Sequence, residues 1–307
     1  MRKQKVAIAL TGIFMILGLL CYGSGAAQAA SPKGVLKASV HWGISADWLD
    51  PSMPGLGNAS DFVLRFYHDA LVKPMPEGLY TPCLAESWTI SPDYRVFEFK
   101  LRKGVKFHNG DEMTAEDVVF TFQRYKGTNA KIFRDNLEKV ESLNPLLVRV
   151  TFKKPFPNFF EYFLTGTSSV GWILPKKYIE KVGDGEFKKN PVGCGPYKFV
   201  EFKPDQRMVG EAFEGYWRKV PNIKRMEFIF IKDLSTRYAM IKRGEIDIAT
   251  LIQDVFIQRI KDDPGLRLLN PVSSANWIVH MASQWDPKSP WSDPRVRKAA
   301  SLAIARD

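Results

Sequence analysis

The sequence predicts a mixed α/β protein, α+β in part, with more than one lobe, and three observations carry that reading. Phe97, Phe99 and Leu101 alternate with Glu98, Lys100 and Arg102, and Val148, Val150 and Phe152 alternate with Arg149 and Thr151. A period of two is the mark of a strand with one buried face. Between these strands, Thr114-Ala115-Glu116-Asp117 opens a helix with Val118, Phe122 and Tyr125 on one stripe. Thr114 can cap its first free N–H groups, and the two acids suit the positive end of the helix dipole. Finally, strands and helices follow one another in irregular order, which argues for an α+β or α/β protein with more than one lobe.

In chain order, Val35 to Val40 is a first strand, followed by a polar, Gly- and Pro-rich stretch from Gly43 to Asn58. Asp61 to Leu71 reads as a helix with Phe62, Phe66 and Ala70 on one stripe and Ser60 or Asp61 as cap. Ser91-Pro92-Asp93 and Lys103-Gly104 are turns on either side of the strand ending at Leu101, and Pro155 to Pro157 stop the one ending at Phe152. Further on, Tyr197 to Phe199 and Met226 to Ile231 read as strands. Ser235 to Arg243 reads as a helix stopped by Gly244, then Ile246 to Ile248 as a strand and Arg295 to Ile304 as a helix.

Before all of this stands a leader. Arg2, Lys3 and Lys5 precede the apolar run Val6 to Tyr22, and Gly23 to Ala30 is small and contains Ala27-Gln28-Ala29. Basic, apolar and A-x-A segments in that order form a secretory signal peptide, with cleavage expected after Ala29 and a periplasmic destination. Retention as an anchor is the alternative, but the run is short for a span and Gly12 and Gly18 interrupt it. Lipidation at Cys21 is disfavoured by the bulky Leu20 before it.

Hydrophobic residues at 45% and charged residues at 25% describe a globular chain and not a disordered one. The net charge of +11 comes from dispersed lysines and arginines, with no zinc-finger, basic-helix or RNP-like motif, so nucleic acid is not an expected partner. Without the leader, Cys83 and Cys194 remain, and their spacing leaves open whether they pair. The four histidines, His41, His68, His108 and His280, are scattered. No metalloprotease, nucleophile-elbow or Walker pattern is present, so no catalytic residue, metal or cofactor is expected. Phe107-His108-Asn109-Gly110-Asp111 reads as a turn before the capped helix rather than as metal ligands. A secreted hydrolase or metal-binding enzyme stands as the second function. Trp42, Trp48, Trp172, Trp277, Trp285 and Trp291 fall in loop-like segments, where their area suits core packing or the wall of a cleft.

Pro82-Cys83-Leu84-Ala85-Glu86-Ser87-Trp88, Leu101 to Gly110 and Thr114 to Thr121 resemble the family 5 extracellular solute-binding proteins. The resemblance continues through Asn190 to Phe199, Arg237, Gly244 to Ile248 and Asp293 to Ala299. It departs at Cys194, where the family usually has Thr between the two glycines. These proteins are the dipeptide-, oligopeptide- and nickel-type receptors of ABC importers. The resemblance implies a two-lobed periplasmic-binding-protein-like fold, with a first lobe at 30–52 and 180–270 and an inserted domain at 53–179. The second lobe would start at 271–307 and be largely missing, the chain reading as truncated. It implies a monomer that captures a small solute, a peptide first of all, for ABC permease subunits. By position it implies ligand contacts at Trp48, Met53 and Asn58, at Ser168, Ser169 and Trp172, and at Phe133 and Trp277.

Overall fold

The computed structural model describes residues 31–43, 45, 49–52, 58–127, 129–163, 171–253, 255–269, 281 and 283–304, with backbone only at 58–62 and 162–163. Residues up to Gln258 make one compact unit and residues from Arg259 a second.

The first unit holds two larger sheets and a hairpin. Strand β1 (Lys33–Val40) sits inside a five-stranded sheet. Its neighbours come from far along the chain: β8 (Tyr197–Lys203), β9 (Arg207–Ala212), β10 (Ile223–Phe230) and β11 (Ile248–Ala249). The order is β11-β1-β10-β9-β8. β1 runs parallel to β10, from Lys33 beside Ile223 to Val40 beside Phe230, and parallel to β11 at Ala38 and Ser39. β8, β9 and β10 form an antiparallel meander. Helix α1 (Asn58–Tyr67) lies on this sheet, where Val63 and Tyr67 are buried with Val40, Met208 and Phe228.

The chain then forms the hairpin β2 (Val72–Met75) and β3 (Gly78–Pro82), and a four-stranded antiparallel sheet ordered β4-β5-β7-β6. Its strands are β4 (Ala85–Ile90), β5 (Val96–Leu101), β6 (Leu137–Asn144) and β7 (Leu147–Phe152). The alternation seen in the sequence is the alternation of burial. Phe97, Phe99, Leu101, Val148, Val150 and Phe152 face inward, while Glu98 and Arg149 pair on the outside at 2.5 Å. Helices α2 (Ala115–Arg124) and α3 (Ala130–Asn136) contribute Val118, Phe122 and Phe133 to the same core, and α4 (Phe159–Phe163) contributes Phe159 and Phe160. At the start of α2, Asp117 Oδ2 accepts from the Thr114 N–H at 2.8 Å and from the Thr114 hydroxyl at 3.2 Å.

Short helices α5 (Lys176–Val182) and α6 (Asp184–Lys189) bring the chain back to β8. After β10, α7 (Leu234–Lys242) is capped by Asp233, whose Oδ1 accepts from the Thr236 N–H at 2.7 Å, and Gly244 takes φ 70° just beyond its end. α8 (Val255–Lys261) follows β11. In the second unit, α9 (Pro294–Leu302) starts on Asp293, which accepts from the Arg295 N–H at 2.8 Å.

Three expectations shift. Helix α1 begins at Asn58, so Ser60 and Asp61 lie inside it and not at its cap. It also stops at Tyr67 rather than Leu71, because the next residues are drawn into tertiary pairing: the Leu71 N–H donates to Gly171 O and the Ile173 N–H to Asp69 O. Strands β2, β3, β4, β6 and β9 have no counterpart in the sequence reading.

Candidate functional site

Three parallel strands end together at Val40, Phe230 and Ala249. In α/β sheets the crevice beyond the carboxyl ends of parallel strands is the usual place for a ligand. The residues placed there are His41 and Trp42 after β1, Ile231 after β10, Thr250 and Leu251 after β11, and Arg237 on the first turns of α7. Thr250 Oγ1 donates to Ser39 O at 2.9 Å and ties β11 to β1. Arg237 gathers the strand ends through its guanidinium, donating to Ile231 O, Lys232 O and Leu251 O.

The segment that leaves β1 is pinned by a buried ion pair. Asp50 is fully buried and Arg124, at the end of α2, donates to both its oxygens at 2.8 and 2.6 Å. Arg124 also bonds the Ser52 hydroxyl and reaches Asp184 at 2.9 Å, and the Lys126 N–H donates to Ser52 O at 2.8 Å. Burial alone would raise the Asp50 pKa, but the guanidinium and the Ser52 hydrogen bonds hold it below the usual carboxylate range. Arg124 and Lys126 thus hold Asp50 and Ser52, about ten residues after the end of β1.

A second polar cluster joins the two sheets. The buried Asp69 carboxylate accepts from Lys73 Nζ and Tyr216 Oη at 2.8 Å each and from Trp217 Nε1 at 2.9 Å. Cys83 and Cys194, both buried and both free thiols, lie in the same core, where burial pushes their pKa values far up and leaves them unreactive. The Gly193-Cys194-Gly195 segment crosses α1 closely. A Cβ at Gly193 would stand 1.9 Å from Tyr67 O, and one at Gly195 2.6 Å from the His68 nitrogen, so neither position admits a side chain. His108 clips this segment as a neutral ring, accepting from the Gly193 N–H at Nδ1 and donating to Gly195 O from Nε2 at 3.0 Å. Burial is the main cause that pushes the His108 pKa down to about 4. The Phe107–Asp111 segment is therefore a turn, with Gly110 at φ 96°, and its histidine is spent on packing.

Of the residues expected to contact ligand, Trp48, Met53, Ser168, Ser169 and Trp277 lie outside the described residues, and Asn58 is described only as the first backbone position of α1. Phe133 faces the core of the four-stranded sheet and not a cleft: it is 1% exposed and its ring meets Phe122, Phe152 and Phe159. Trp172 is buried with Leu64 and Ala70, bridged to Ala70, and has Lys73 Nζ 5.6 Å from its ring centre. Its ring is packed into that cluster rather than offering a free face. The sequence reading missed His41 and the Asp50–Arg124 pair as site residues, and met Arg237 only as part of a resemblance. An arginine partnered by carbonyls carries no signature in a sequence.

Comparison with known proteins gives the family. The pattern described as bacterial extracellular solute-binding proteins, family 5 Middle, matches residues 80–307. The di/tripeptide-binding protein 2 of Pseudomonas aeruginosa (strain UCBPP-PA14) is 29% identical over 93% of this chain and 57% of its own length. Heme-binding protein A of Haemophilus influenzae is 32% identical over 73% of this chain and 44% of its own length. Among solved structures, the ABC transporter-associated periplasmic binding protein DppA of Helicobacter pylori, in complex with peptide STSA, superposes with a TM-score of 0.65 at 27% identity. That match covers 75% of this chain and 49% of the other. The chain thus spans about half the length of the relatives it matches, and it belongs to the bacterial extracellular solute-binding proteins of family 5.

Proposed function

We propose that the chain binds a small solute, a short peptide in first place, beyond the carboxyl ends of β1, β10 and β11, and presents it to an ABC-type permease. The observation that carries this reading is the family match over residues 80–307, combined with a sheet whose parallel strands end together beside an anchored loop. The choice of peptide draws on the di/tripeptide-binding relative and on the structure that holds peptide STSA. Trp48, Met53, Asn58, Ser168 and Ser169 are the proposed contacts, on the segments that flank Ser52 and precede Trp172. The leader that ends at Ala29 is proposed to direct export to the periplasm.

The proposed role is capture rather than catalysis, a reading supported by the match to a family of solute-binding proteins. Binding energy is instead used to favour a closed arrangement over an open one, and the permease would read the closed form. Isothermal titration with a panel of di- and tripeptides, with heme as the competing solute class, tests the reading. Saturable heat with peptides is expected; heat with heme and none with any peptide would replace the peptide assignment.

A further inference from the structure

The carboxyl end of the parallel strands holds a charge that has no counterion among the described residues. Arg237 is 2% exposed. Its Nη1 donates to Ile231 O and Lys232 O at 2.7 Å each, and its Nη2 to Leu251 O at 3.2 Å. Its Nε–H is equally buried and meets no acceptor among the described residues. Three neutral carbonyls satisfy N–H groups but do not balance a positive charge, and a buried charge left unbalanced is costly. Asp233 is the carboxylate whose field reaches it, yet no ion pair forms among the described residues. The Asp233 Oδ1 is already occupied by the Ser235 hydroxyl and by Thr236.

His41 stands within electrostatic reach of this guanidinium. Its Nδ1 is buried and has no partner among the described residues, and its ring packs edge-on to Trp42 with centroids 4.3 Å apart. Burial first, and the Arg237 charge second, push its pKa down, so the ring is neutral and keeps one N–H to donate. Leu251, whose carbonyl Arg237 holds, takes φ 50°, a left-handed conformation that is uncommon for non-glycine residues.

The geometry points to an oxyanion subsite: the unused Arg237 Nε–H and the His41 ring receive a carboxylate at the carboxyl end of β1, β10 and β11. The inference rests on the solute site lying at this end of the sheet, and it names the group of the solute that docks there. The carboxylate is that of the solute itself, and a free small anion is the other source of the same chemistry.

The test combines two titrations of the chain. Sodium acetate is followed through the His41 ring resonances, and a dipeptide and its C-terminal amide are compared by calorimetry. Arg237→Gln frees three backbone carbonyls and endangers the fold, so His41→Phe serves as the second variant. Acetate should shift the His41 resonances saturably. The acid should bind at least about tenfold more tightly than the amide, a difference that narrows in His41→Phe. A saturable acetate shift with equal binding of acid and amide keeps the subsite and makes a free anion its ligand. An acetate shift without binding of either peptide keeps the subsite and removes the peptide reading. No acetate shift, together with equal binding of acid and amide, overturns the inference while leaving solute binding intact.

Discussion

The four-stranded sheet and the five-stranded sheet share one compact unit but are stabilised by opposite means. The first is built from neighbours in sequence, β4 to β7, and closes over rings: Phe97, Phe99, Phe122, Phe133, Phe152 and Phe159 are all 2% exposed or less. Its outer face is lined by ion pairs such as Arg149–Glu98 and Lys100–Glu86. The second sheet assembles strands from 33–40 and 197–249, and at its carboxyl end buried polar groups of His41 and Arg237 meet no partner among the described residues. A region whose polar groups are satisfied and whose core is filled is a support. A region that keeps buried donors unused is where a ligand gains most by supplying the missing partner.

The largest effect should come from hollowing the support. Phe159 lies 4.9 Å from both Phe97 and Phe152 between ring centres and is fully buried. Phe159→Ala should cost about 3–5 kcal/mol in urea unfolding, and a loss under 1 kcal/mol would show that this core repacks freely. Next comes the pin between support and site. Arg124→Ala strands the fully buried Asp50 and should cost about 3 kcal/mol or more. If solute affinity and stability fell no further than in a surface variant, the pin would be ornamental.

A third effect is a pH dependence that belongs to the seam between the sheets. Burial, then the neighbouring His108, push His68 down to about 3 against the pull of Asp50, and His108 itself lies at about 4. Both rings are neutral when folded and titrate near 6.5 when unfolded, so the unfolded state binds more protons below that value. Stability should therefore be complete above pH 6.5 and fall by about 1.4 kcal/mol per pH unit for each histidine, down to about pH 4 for His108 and about pH 3 for His68. His108→Gln should flatten that slope by about half, and an unchanged slope would assign it to other groups. The smallest effect belongs to the outer face: Glu98→Gln, which breaks the half-exposed pair with Arg149, should cost 1 kcal/mol or less.

The same contrast explains what the sequence disclosed. Alternation at 97–101 and 148–152 and the stripe Val118, Phe122, Tyr125 are local signals, and each residue is buried where its period places it. β4 and β6 carry no such period, because as edge strands they bury little: Ala85 alone is buried in β4 and Val140 alone in β6. The site was hidden for a different reason. Asp50 and Arg124 are 74 residues apart, and Asp69 meets Tyr216 and Trp217 across 147 and 148. Phe133 was placed at the cleft by position in the family resemblance, and position along a chain does not tell a core ring from a wall ring. Only the packing against Phe122 and Phe159 does.

The proposed solute site lies at the polar carboxyl end of the five-stranded sheet, and the four-stranded sheet has no share in contacting the solute. A dipeptide carrying a photoreactive side chain, crosslinked to the chain and mapped by mass spectrometry, tests that placement directly. Crosslinks are predicted at His41–Trp42, around Ile231–Arg237, at Thr250–Leu251 and at the proposed contacts Trp48, Met53, Asn58, Ser168 and Ser169. Crosslinks confined to the outer face of β4–β7, or to the shallow pocket of about 220 Å³ lined by His108, Tyr178, Asn190 and Lys198, would contradict it.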